Sequence, residues 1–172
     1  DDPGDAVAAG SLDLLERLGS RWVDWVRSGV SYVAFSGHPD TSRTRSKSWE
    51  SIAGTVAVAS SVNTPIFWAE TLVHEAAHQH FHLLSRFDGL VGEDERQLYY
   101  SAAVRRPRPL IRILIAYHAF GNVLRLYQHL AQVGIQMSDN EQVQFRAMKR
   151  LVSELEAPLL ASRALTPVGA AL

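Results

Sequence analysis

The sequence contains no cysteine. A disulfide framework and thiolate ligands are both excluded, so any metal the chain binds must sit on His, Asp or Glu. A chain without thiols fits a reducing cytosol, and a cytoplasmic protein is the expectation. Long apolar runs are also missing: no stretch of eighteen apolar residues is present to span a membrane. Neither sign of charge is in excess, with 17 Lys+Arg against 18 Asp+Glu and a formal net charge of -1. That balance carries no footprint for nucleic acid or for a membrane surface, so neither is expected as a partner. The opening residues, Asp1-Asp2-Pro3-Gly4-Asp5, are acidic rather than basic-then-apolar and do not read as an intact signal peptide.

What is present is an ordinary globular composition, 47% hydrophobic and 20% charged over 172 residues, enough for one domain with its own core. Residues 1–10 are rich in Gly, Ala and Asp and read as a loose leader, with a single domain over 11–172. Leu14, Leu15, Leu18, Trp22, Trp25 and Val26 recur at helical spacing, with Ser11 as N-cap and Gly29 as the stop. Val30 to Phe35 is β-branched and aromatic and reads as a strand, ended by Gly37-His38-Pro39-Asp40. Residues 40–50 read as an exposed polar loop, and Thr55 to Ala59 as a second strand.

Asn63-Thr64-Pro65 is a helix start, with Thr64 at the N-cap, and the helix is expected to run to about Phe87 before Asp88-Gly89. Gln97 to Ser101 reads as a short strand or extended segment, and Arg106-Pro107-Arg108-Pro109 cannot lie inside a helix. A long apolar helix then runs from Leu110 to about Val133, closed by Gly134. The capping box Ser138-Asp139-Asn140-Glu141 opens a last helix expected to reach Glu156, with Pro158 limiting it. The fold class is therefore α+β: a mostly helical domain whose small sheet precedes the helix of residues 65–87, a zincin-like arrangement.

That helix carries His74-Glu75-Ala76-Ala77-His78. Residues four apart share a helix face, so the two imidazoles can converge on one divalent ion, and Glu75 lies about 100° around the helix, where a carboxylate can serve metal-bound water as general base. Shuffling this composition would produce H-E-x-x-H in roughly one sequence in a hundred, so the motif is informative without being decisive. The competing reading is a pair of surface histidines on a His-rich stretch that also holds His80 and His82. Ala76 and Ala77 weigh against it, because small residues let another element approach closely.

Two histidines do not complete a site. The metzincin extension would put Gly at position 81 and His at 84, where this chain has Phe81 and Leu84. A gluzincin would take an acid from the next long helix, which has none between Leu110 and Val133. It does have His118, the candidate third ligand; a core histidine with a satisfied hydrogen bond is the alternative. His118, Asn122, Arg125 and His129 form a polar stripe on an apolar helix, and such stripes line cavities or polar interfaces. Arg125 could hold a carboxylate there, unless it and His129 simply run out to solvent.

Several segments together resemble the HExxH-motif peptide-modification family. They are Ala69 to His78, Tyr99-Tyr100-Ser101, Pro107-Arg108-Pro109-Leu110, His118-Ala119-Phe120 and the strand Gly54 to Val58. These proteins are viewed as iron- and 2-oxoglutarate-dependent peptide β-hydroxylases of ribosomal peptide natural-product pathways. Where the family pattern has a Trp-Arg pair and an acidic residue before Pro-Arg-Pro, this chain has Ala103, Val104 and Arg106. The resemblance implies Fe(II) on His74 and His78 with His118 as third ligand, and a precursor peptide hydroxylated at a β-carbon with O2. It implies that Arg108 binds the 2-oxoglutarate carboxylate or anchors its loop, and that Glu75 orients a ligand, water or substrate amide. The motif taken without the resemblance implies Zn2+ and peptide hydrolysis.

Overall fold

The computed structural model describes residues 3–36, 46–59, 64–92 and 97–172. The elements in order are α1 (Pro3–Leu18), α2 (Ser20–Gly29), β1 (Tyr32–Ser36), β2 (Ser46–Trp49), β3 (Ile52–Ala59), α3 (Pro65–Phe87), β4 (Leu98–Ser101), β5 (Arg106–Pro109), α4 (Leu110–Gln132), α5 (Asp139–Ala161) and α6 (Pro167–Ala170). The domain is α+β and mostly helical.

The N-terminal region departs from expectation. Residues 3–10, read as a loose leader, are the first turns of α1, and Val7 and Ala8 pack against the main core. The alanines that made the segment look featureless are strong helix formers. Ser11 is therefore inside the helix, fully buried, donating its hydroxyl to Ala8 O rather than capping. The chain breaks instead at Gly19, whose φ of 117° is open to glycine and costly for other residues. One expected helix becomes two, and α2 turns independently onto α3.

Gly29 ends α2 as expected, and it also sets a close approach. A Cβ there would lie 3.0 Å from Ala76 Cα and 3.1 Å from Ala76 Cβ. The small residue in the middle of the HExxH motif thus meets a glycine on the neighbouring helix.

The three-stranded sheet has the order β1-β3-β2, with β1 parallel and β2 antiparallel to β3. β2 falls within residues read as a polar loop; the expected turn at 37–40 lies outside the described residues. The strand escapes hydrophobic patterning because its alternate residues Ser46 and Ser48 face a carboxylate, not the core. Val56 and Val58 of β3 are fully buried.

α3 has the bounds read from the sequence, with Thr64 Oγ1 accepting from Phe67 N at 3.2 Å; Asn63 is outside the described residues. β4 and β5 form a two-stranded antiparallel hairpin, so the prolines of 106–109 have no second strand to donate to. The capping box at Ser138 is present in full. α5 continues through Pro158 to Ala161, three residues beyond the proline that was expected to limit it. So near the helix end, the missing N–H removes one bond from a ladder about to terminate.

Two apolar clusters hold these elements. The larger joins α1, α2, β3, α3 and α4 through residues such as Leu15, Val56, Trp68, Val73, Val123 and Leu126. The smaller joins the end of α3 to the starts of α4 and the end of α5 through Phe81, Ile113, Leu114 and Leu155. α3 lies between the sheet and α4 and is the element on which the site is built.

Candidate metal centre

Helical spacing brings the imidazoles of His74 and His78 together. Their Nε2 atoms are 3.0 Å apart, and the rings stand nearly perpendicular, 89°, with centroids separated by 4.6 Å. Two imidazole nitrogens at that distance need something between them, one shared proton or one cation. Both rings are held neutral. Burial lowers the pKa of His74 to about 4. Burial, then the neighbouring His74, lowers that of His78 to about 3, against a smaller opposing pull from Glu75. A neutral imidazole is the form that binds a metal.

Around the pair, Phe120 of α4 packs on His74 with ring centroids 4.7 Å apart. One turn before His74, Glu70 accepts from Tyr127 Oη at 2.7 Å and from Gln144 Nε2 at 3.1 Å, tying α3 to α4 and α5. Glu75 is 3% exposed. Its two oxygens accept from Ser46 Oγ at 2.6 Å and Ser48 Oγ at 2.5 Å. The carboxylate is therefore fixed in plane by β2. Ser46 and Ser48 were missed in the sequence; their i, i+2 spacing was the only available signal, and it is a weak one.

The donor set fits a divalent ion in part. Two neutral nitrogens converge, but among the described residues no third His, Asp or Glu joins them. Ligating histidines usually donate their second ring nitrogen to an acceptor. Here His78 Nδ1 is buried without a partner among the described residues.

The structure places the proposed third ligand elsewhere. His118 is 6% exposed, its ring 6.1 Å from that of Trp25 and 6.0 Å from that of Phe81. Burial lowers its pKa to about 4, opposed by a hydrogen bond to the Ala77 backbone. It is near enough to His78 for their charges to interact, but it does not converge on the pair. The stripe that His118 begins faces α2: His129 Nδ1 accepts from Trp22 Nε1 at 2.8 Å, and Arg125 lines cavities shared with Trp25. His80 lies 3.0 Å from Ser28 Oγ through Nε2, and His82 is 3.8 Å from Glu50. Arg108 pairs with Tyr99 across the hairpin, and its Nε is buried without a partner among the described residues. The structure thus brings His74 and His78 together. Glu75 and His118 are both near enough to interact with His78, but neither completes a three-ligand group among the described residues, while Arg125 lies toward α2.

No protein-family model matches the chain, and no curated protein matches it.

Proposed function

We propose that this protein is an Fe(II)- and 2-oxoglutarate-dependent oxygenase, hydroxylating a β-carbon in a ribosomally made precursor peptide in the cytoplasm. The observation that carries the metal assignment is the pair of neutral Nε2 atoms 3.0 Å apart on α3. Two neutral imidazole nitrogens at that separation would suit one divalent ion held between them, and imidazole ligands are compatible with iron as well as zinc. The sheet followed by the HExxH helix and α4 supports a zincin-like arrangement.

In this reading His74 and His78 bind the ion, and the protein leaves its other positions open. Bound iron with 2-oxoglutarate would supply the oxidising chemistry. Glu75, with both oxygens engaged by Ser46 and Ser48, orients a polar group of the substrate rather than taking a proton from water. Phe120 shields one side of His74 from solvent. Arg108, with its buried unpartnered Nε, is the residue for the 2-oxoglutarate carboxylate.

The competing reading is a zinc metallopeptidase with Glu75 as general base, favoured by the adjacency of that carboxylate to His78. Anaerobic addition of Fe(II) and then 2-oxoglutarate separates the two. The oxygenase gives a weak visible charge-transfer band and, on admitting O2, forms succinate. Peptide cleavage by the zinc-loaded protein with no band and no succinate would sink the oxygenase reading. Unchanged metal stoichiometry in His74→Ala would refute the metal centre itself.

A further inference from the structure

The polar stripe of α4 opens on a space of its own. Two cavities, of about 510 and about 420 Å3, meet along it; both are lined by Trp25, Asn122 and Arg125, the second also by His80 and His118. Neither is lined by His74, His78 or Glu75. The groove runs where α2, the second half of α3 and α4 come together, and the chain's last two residues form one wall of the smaller cavity.

The hydrogen-bonding groups there are incompletely paired. Trp25 Nε1, His80 Nδ1 and His118 Nδ1 are buried and have no partner among the described residues. Native folds rarely leave such atoms uncompensated. The rings form one cluster, with Trp25 4.0 Å from His80 and 6.1 Å from His118 between centroids. Arg125 makes no ion pair or side-chain hydrogen bond among the described residues. Glu156, which lines an adjoining cavity with Arg125, accepts from Tyr117 Oη at 3.1 Å and makes no ion pair with Arg125 among the described residues. Indole N–H and guanidinium only donate, whereas His118 spends its one N–H on the Ala77 backbone and His80 on Ser28 Oγ, which leaves their Nδ1 atoms as acceptors. Asn122 uses its amide N–H on His118 O, so the acceptors of that set are its carbonyl and the two imidazole Nδ1 atoms, all of them uncharged.

We propose that this groove is a second ligand site, distinct from the metal centre, for a small organic carboxylate with an apolar or aromatic body. The carboxylate pairs with the Arg125 guanidinium, whose fork matches two carboxylate oxygens. The body lies against the Trp25 ring and the flanking Leu83, both of which line the same cavity. The site needs neither the metal nor the proposed oxygenase activity.

The test uses the chelator-treated, metal-free full chain, with benzoate as probe and benzamide as its uncharged counterpart. The indole N–H resonance of Trp25, assigned with Trp25→Phe, is followed in 1H–15N spectra. Benzoate should shift it saturably at millimolar concentrations, and benzamide should not. Arg125→Gln should weaken benzoate binding by about tenfold or more, the loss expected for one charge-assisted pair. Arg125 is exposed, so this variant keeps the fold. His74→Ala should bind benzoate as the parent does. The absence of a saturable shift, an equal response to benzamide, or undiminished binding by Arg125→Gln would each overturn the proposal. Loss of binding in His74→Ala would also overturn it, by joining the groove to the metal centre.

Discussion

Lowering the pH should unfold the metal-free protein well before its carboxylates are neutralised, because three buried histidines are held neutral. The folded-state pKa values are about 4 for His74, about 3 for His78 and about 4 for His118, against 6.5 for an unperturbed ring. Between those limits the unfolded chain binds more protons than the folded one, so stability falls as pH falls. At about pH 7.5 neither state is protonated and the histidines contribute no pH dependence. At about pH 5 an unfolded ring is almost fully charged while a folded one is about a tenth charged or less, a difference of about 2 kcal/mol per ring. All three rings act in the same direction, so the loss is on the order of several kcal/mol, against a total of about 5–15 kcal/mol for a typical domain. The assay is urea unfolding of chelator-treated protein near pH 7.5 and pH 5, followed by circular dichroism. The midpoint should drop sharply with little change in slope. His118→Gln should lose part of that pH dependence, less than a third, since burial also lowers the pKa of His80 and His82 and they titrate in the same direction. Equal midpoints at the two pH values would refute the burial argument. Full pH dependence in His118→Gln would refute the assignment of His118 to it.

Other perturbations reach other parts of the structure. Ser46→Ala with Ser48→Ala strips both hydrogen bonds from the buried Glu75 carboxylate, and should cost about 2–4 kcal/mol of thermal or urea stability; Glu75→Gln should recover part of it, and a neutral effect of the double variant would mean that the strand does not hold the carboxylate. Gly29→Val drives a side chain into Ala76, and should destabilise by about 1–3 kcal/mol while lowering metal affinity through displacement of the motif helix; a parent-like melting temperature would show that α2 does not approach α3 so closely. Ser138→Ala removes the hydroxyl half of the α5 capping box and should cost about 1 kcal/mol in urea unfolding. A midpoint unchanged from the parent would contradict the cap.

Local signals were sufficient for most of the elements. Thr64-Pro65 and Asp88 bracket α3, the capping box opens α5, and Gly134 closes α4, each through chemistry confined to a few adjacent residues. Where the reading failed, the deciding interaction was not local. β2 was hidden because a strand lined by Ser46 and Ser48 has no apolar alternation, and it exists to meet Glu75 some thirty residues further on. The leader became helix because Val7 and Ala8 find the core, and composition alone does not reveal that packing.

The site divides along the same line. The sequence by itself determined that His74 and His78 share a face, since helical periodicity leaves no other outcome, and their Nε2 atoms meet at 3.0 Å. It also determined that His118, Asn122, Arg125 and His129 form one stripe. Which neighbour that stripe faces was decided by tertiary structure alone. The break at Gly19 and the approach of Gly29 to Ala76 bring α2, with Trp22 and Trp25, onto the stripe. Periodicity specifies the face of a helix but not the partner it turns toward, because that choice rests on contacts between residues far apart in the chain.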